Sequence, residues 1–145
     1  MSEQDNNFIS MEVPVQWSDM DAAQHVNNTI YLRWVESARI AMFQKMNGGN
    51  ASFKEVIPIL AWQDCKYIFP VTYPDAVAVC LDVVKVELQK VHCEASIHSK
   101  RYDKTVAVSK CLLVPFDMRK QEKATLPETW KRAFFDFYGT SILNP

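Results

Sequence analysis

Apolar and polar residues alternate with a period of two at the start of the chain. Ile9, Met11, Val13, Val15 and Trp17 fall on one side, and Ser10, Glu12, Pro14 and Gln16 on the other. This predicts a half-buried strand over residues 9–17. Pro14 has no N–H to give to a ladder, so the strand belongs at a sheet edge or carries a bulge. A polar loop over 18–27 follows. The period then changes: Ile30, Tyr31, Trp34, Val35, Ala38, Ala41 and Met42 recur every three or four residues, which predicts a helix over 28–45 with a broad apolar stripe. Asn27 reads as its N-cap and Gly48-Gly49 as its stop. Arg33, Glu36 and Arg39 share a narrower polar face at a spacing where ion pairs form. Residues 50–58 read as a connector with a short helical turn.

Four strand-like runs follow, over 59–69, 76–88, 91–102 and 105–116. The third alternates cleanly, with Val91, Cys93, Ala95 and Ile97 apolar and His92, Glu94, His98 and Lys100 polar. The junctions Gln89-Lys90 and Asp103-Lys104 are short enough for antiparallel hairpins. A charged loop over 117–125 leads into a second helix over 127–138, with proline in its first turn and Trp130, Ala133, Phe134, Phe137 and Tyr138 on one face. Helices that do not alternate with strands indicate an α+β fold. A first helix that is apolar over much of its girth calls for a curved sheet wrapped around it. The chain, 1–145, reads as a single domain with a frayed tail over 1–7.

Composition narrows the function. Sixteen basic against seventeen acidic residues give a net charge of -1, which argues against a nucleic-acid binder. No run reaches the length of a membrane span, and the polar start lacks the features of a secretory signal. Four scattered cysteines, without a CxxC pair or metal-like spacing to histidine, read as small buried hydrophobes in a reducing, cytoplasmic setting. No metal site and no cofactor are expected.

The chemistry concentrates in residues 17–39, WSDMDAAQHVNNTIYLRWVESAR. Asp19 and Asp21 precede a helix start, where unpaired backbone N–H groups and the helix dipole can polarise a carbonyl. A carboxylate beside such a terminus can act as nucleophile or general base. Aspartates before helices also serve simply as turn caps, and spacing alone leaves both readings open. By the same default His25 is a structural hydrogen-bonding group, Asn27 and Asn28 are capping residues, and Tyr31, Trp34 and Val35 are core.

The segment DMDAAQHVNNTIYLRWVESAR resembles the signature of hot-dog fold thioesterases of the 4-hydroxybenzoyl-CoA thioesterase type. The resemblance implies a hot-dog fold, an antiparallel sheet wrapped around a long central helix, in agreement with the element order. It places the catalytic aspartate at Asp21 and the amide facing the thioester carbonyl near Asn28. It sets Asn27 and Tyr31 among the oxyanion- and substrate-binding residues. The part DMDAAQHVNN is also similar to plant acyl-ACP thioesterases, in which the matching histidine, His25, belongs to the active-site set. Two positions depart from these patterns. Gln24 stands where the CoA-type pattern has glycine, and Ala23 where the acyl-ACP branch has asparagine. Asp19 stays a capping residue, and Glu36 and Arg39 read as ion-pair or interface residues.

The implied reaction is acyl-CoA thioester hydrolysis, with coenzyme A part of the substrate. Asp21 either attacks the carbonyl to form a mixed anhydride or activates a water. Alternatives are an acyl-ACP thioesterase and a hot-dog protein that binds acyl-CoA without hydrolysing it; the pattern fits a hot-dog dehydratase poorly. The resemblance further implies a homodimer or homotetramer. Lys100, Arg101, Lys104, Arg119 and Lys120 are the candidates for meeting the CoA phosphates.

Overall fold

A computed structural model describes residues 6–50 and 52–142. The elements run β1 (Ile9–Pro14), α1 (Asn28–Met46), β2 (Val56–Gln63), β3 (Lys66–Tyr67), β4 (Ala76–Glu87), β5 (Lys90–Ser99), β6 (Lys104–Asp117), β7 (Glu122–Lys123) and α2 (Glu128–Tyr138). The strands form one seven-stranded antiparallel sheet, ordered β1-β4-β5-β6-β2, with β3 and β7 also pairing β6. Register shifts interrupt the β2–β6, β4–β5 and β5–β6 ladders. Such irregularities increase local twist, and the sheet curls into a half-barrel. The fold is the α+β hot-dog that the resemblance implied.

Helix α1 fills the hollow of this sheet. Tyr31, Trp34, Val35, Ala38, Met42 and Met46 are buried against the inward side chains of the strands, among them Val79, Leu81, Val91, Cys93 and Ile97. The alternation read in β5 holds, with Val91, Cys93, Ala95 and Ile97 inside. Pro14 lies on the edge strand β1, opposite Ala76. Past Asn47, both Gly48 and Gly49 take positive φ, a conformation that costs glycine little, and the helix stops there. Helix α2 buries Trp130 and Phe134, and Phe134 packs against the ring of Phe8.

Several boundaries differ from the sequence pattern, each for a local reason. Strand β1 ends at Pro14 and not at Trp17. Residues Trp17–Asp19 form a 3-10 turn in which the Asp19 carboxylate accepts the Gln16 N–H at 2.8 Å. Trp17 is consequently 71% exposed instead of sharing the buried face, and Asp19 has the capping role expected of it. The run over 59–69 is two strands. Its first begins at Val56, inside the expected connector, and the break falls at Asp64, whose carboxylate takes the Lys110 N–H at 2.7 Å. The loop over 117–125 carries the short strand β7. Arg39 does not join an ion pair with Glu36. Among the described residues it turns inward, 6% exposed, and its Nη1 donates to Gln63 Oε1 at 3.3 Å. Its apolar stem makes this burial tolerable. Of the expected tail, residues 1–5 lie outside the described residues, and Asn7 is half-buried.

Candidate active site

The loop between β1 and α1 is a tight structure. The Met20–Val26 bridge closes it, with Asp21 N–H donating to the His25 carbonyl at 3.1 Å and Gln24 N–H to the Asp21 carbonyl at 2.9 Å. Gln24 sits at φ 62, in the left-handed region that glycine enters without steric cost. This is the position where the related pattern carries glycine, so the glutamine keeps the turn and accepts the strain. Val26 N–H donates to the Val71 carbonyl at 2.8 Å and Asn27 N–H to the Asp19 carbonyl at 2.9 Å. The first of these bonds fixes the loop to the segment that precedes β4, and the second closes the loop on itself.

The Asp21 side chain is exposed. Oδ1 accepts the Ala23 N–H at 2.9 Å, and Oδ2 lies 3.4 Å from Asn27 Nδ2. Asn27 uses both ends of its amide. Its oxygen accepts the Thr29 N–H at 2.9 Å and the Thr29 hydroxyl at 2.7 Å, capping α1, while its nitrogen reaches back to Asp21. The Ile30 N–H is taken by the Asn27 carbonyl at 2.9 Å. Thus Thr29 and Ile30 are satisfied, and the Asn28 N–H donates to no other described residue. An outward, unpaired amide at a helix start is a donor for a developing negative charge.

Two cavities flank this arrangement. One, of about 700 Å³, is lined by Trp17, Met20, Asp21, Ala22, Gln24, Thr72 and Tyr73. The other, of about 300 Å³, is lined by Val26, Asn28, Tyr31, Tyr67, Phe69 and Pro70. Tyr31 is buried, its hydroxyl accepting the Val71 N–H at 3.0 Å and donating to the Phe69 carbonyl at 3.5 Å. Burial pushes its phenol above the usual value, so it stays protonated. The structure therefore gathers Asp21, Asn27, Asn28 and Tyr31 around one helix start. His25 is exposed, and its imidazole lines neither cavity and bonds to no described residue. Among the described residues, no three His, Cys, Asp or Glu side chains are placed to hold a metal ion.

Sequence reasoning missed Trp17, Thr72 and Tyr73 in the first cavity and Tyr67 in the second. The one available signal was the Pro70–Pro74 stretch, which sets Thr72 and Tyr73 between two prolines in a loop. The five basic candidates separate. Lys100 lies 3.7 Å from Glu12 and Arg119 3.0 Å from Glu55, and Lys120 adjoins the Asp117 turn. Lys104 stands 4.3 Å over the ring of Phe69, in the wall of the second cavity. Arg101 stacks on Tyr102 at 5.2 Å and donates to the Pro74 carbonyl at 3.3 Å, next to Tyr73 of the first.

Comparison with known proteins agrees with this architecture. Residues 15–134 match the thioesterase-like superfamily. The thioesterase candidate PA2801 of Pseudomonas aeruginosa is 27% identical, with a TM-score of 0.79 over 88% of this chain and 98% of its own. Two more distant structures share the fold. A Thermus thermophilus thioesterase solved with coenzyme A and zinc is 23% identical, with a TM-score of 0.76 over 92% and 97% of the two chains. The 1,4-dihydroxy-2-naphthoyl-CoA thioesterase of Synechocystis is 19% identical, with a TM-score of 0.77 over 88% and 95%. No curated protein matches in sequence. No helix among the described residues is long and apolar enough to cross a membrane. With its hot-dog fold and a family match over most of its length, the chain belongs to the thioesterase-like superfamily and is a thioester hydrolase.

Proposed function

We propose that the protein hydrolyses acyl-CoA thioesters, with Asp21 as nucleophile or general base and the Asn28 N–H as the donor that polarises the carbonyl. One observation carries this reading: the Asn27 side chain caps α1 and contacts Asp21 at once. It thereby sets a carboxylate beside a helix whose first amide donates to no other described residue. In the nucleophilic route an Asp21 oxygen bonds to the carbonyl carbon and the C–S bond breaks. The CoA thiolate leaves and takes a proton from water. A second water attacks the Asp21 carboxyl carbon of the anhydride, so that the bridging oxygen leaves with the acid and Asp21 regains an oxygen from water. In the general-base route Asp21 takes a proton from the water that attacks. Single turnover in ¹⁸O-water separates the routes, because only the first passes an Asp21 oxygen into the acid. No cofactor enters either route.

His25, on the rim of the loop, has no step in this scheme. Arg101 and Lys104 are the cations whose positions suit the phosphate of a phosphopantetheine arm, which CoA and acyl carrier protein share. A second copy of the chain has an open edge to meet at β2, which among the described residues pairs only with β6; Trp62 on β2 is exposed, as are Tyr67 and Ile68 a few residues on in sequence. A homodimer, or a homotetramer built from it, is accordingly part of the proposal, and light scattering measures it. The activity test is a hydrolysis screen of the purified protein against acetyl-, hexanoyl-, palmitoyl- and benzoyl-CoA and the matching acyl-ACP esters, read as released thiol. Turnover of CoA esters above ACP esters is expected. Preference for ACP esters would move the carrier assignment, and tight binding without turnover would leave an acyl-CoA-binding protein.

A further inference from the structure

Tyr67 was not among the residues that the sequence pattern singled out, yet it reaches the centre of the site. It lies on β3, and its hydroxyl donates to the Asn28 carbonyl at 3.1 Å across 39 residues. Its ring stands edge-on to Tyr31, with centroids 5.1 Å apart and planes at 89°. Tyr31 in turn is tied to Val71, and Val71 to Val26. The first turn of α1 is thus fastened to residues 67–71. The Asn28 carbonyl belongs to the peptide immediately after the amide assigned above to the oxyanion, so holding one peptide restrains the tilt of the other.

The tether has little to offer folding. Tyr67 is 44% exposed, and water can satisfy its hydroxyl, so the net contribution of such a bond to stability is small. What the bond does supply is orientation. A displacement of about 1 Å in a positioning group can cost about 10²-fold in rate. Burial, with Cys65 beside it, pushes the Tyr67 phenol above its ordinary value, so the hydroxyl remains a donor at neutral and mildly alkaline pH.

We propose that Tyr67 is a positioning residue for hydrolysis: its bond to the Asn28 carbonyl aims the Asn28 N–H at the thioester oxygen. This rests on the assignment of Asn28 as the polarising donor. Tyr67→Phe keeps the ring and removes only the hydroxyl. With the best CoA ester of the screen, kcat is expected to fall about 5–20-fold, less than the cost of about 10²–10³-fold for removing an oxyanion donor outright, while KM moves less than about twofold and Tm stays unchanged. Affinity for the matching alkyl-CoA thioether, which has no carbonyl to polarise, stays at the wild-type value. Tyr67→Ala, which also opens the cavity wall, raises KM as well. Wild-type kcat in Tyr67→Phe, or a loss matched by weaker thioether binding, overturns the role of Tyr67 alone. A wild-type protein that hydrolyses none of the thioesters overturns the proposed function, and this inference with it.

Discussion

Helix α1 is anchored at both ends, its last turn by Lys45, whose Nζ donates to the Phe8 carbonyl at 2.9 Å, whereas the anchor of helix α2 lies at its finish. Helix α1 is held at its start, where Asn27 caps it, Tyr67 grips Asn28 and the buried Tyr31 hydroxyl binds Val71. Helix α2 is held at its finish, where the Tyr138 hydroxyl accepts the Val83 N–H at 2.9 Å and donates to Asp82 at 2.7 Å. Its own start follows Pro127, which offers no side-chain cap. Both helices begin with outward backbone N–H groups, so a helix start is not in itself a site. Both starts also have a carboxylate nearby, Asp21 at α1 and the exposed Glu128, paired with Lys131, at α2. The start of α1 differs because its carboxylate contacts the capping side chain and because side chains from distant parts of the chain hold it still. Rigid anchoring of α1 coincides with the proposed chemistry, whereas that of α2 only docks a helix against β4.

Truncation inside each helix should cost most in stability and separate their roles. Trp34 on α1 is 4% exposed and packs 5.2 Å from the Tyr31 ring, while Phe134 on α2 is fully buried. Trp34→Ala and Phe134→Ala should each destabilise by about 3–5 kcal/mol in denaturant unfolding. Activity per folded molecule should fall only for Trp34→Ala, because that cavity opens beneath Tyr31. A loss under about 1 kcal/mol at Trp34 would show that this face of α1 is not core.

Removal of the anchor at the end of α2 comes next. Tyr138→Phe strands the Val83 N–H and should destabilise by about 1–3 kcal/mol, with kcat unchanged. Burial, then the bond to Asp82, hold the Tyr138 phenol well above its ordinary value. A raised value in the folded state means that this stability is fully present below the unfolded phenol value of about 10. It is lost as pH rises further, because unfolding then releases the proton. Wild type should therefore lose stability more steeply than Tyr138→Phe above about pH 10, as followed by thermal melts across that range.

The smallest stability effect concerns the caps. Asn27→Ala should cost about 0.5–2 kcal/mol and also slow hydrolysis, because Asp21 loses its contact with Nδ2. Pro127→Ala should change stability by less than about 0.5 kcal/mol and leave the rate alone. Equal effects of the two substitutions on kcat would erase the distinction between the helix starts.

The sequence shows where this comparison begins and where it stops. The core face of α1 was legible because Tyr31, Trp34, Val35, Ala38 and Met42 repeat at helical spacing, and packing enforced that repeat. Asn27 and the glycine pair were legible because capping chemistry is local. Trp17 was misread because alternation runs on past Pro14, while the Asp19 carboxylate bends the backbone into a turn. Arg39 was misread because periodicity reports polarity and not the reach of a long side chain. Tyr67, Thr72 and Tyr73 could not be read at all. They meet the α1 start only through the antiparallel path of the sheet, and no spacing along the chain encodes a bond across 39 residues.

In the proposed reaction the Asp21 carboxylate performs the chemistry. The direct test is steady-state hydrolysis of the best CoA thioester by wild type and Asp21→Asn, with folding and oligomeric state checked on the same samples. A fall of about 10²–10⁴-fold in kcat with an intact fold is predicted. Wild-type turnover by a folded Asp21→Asn protein would contradict the account.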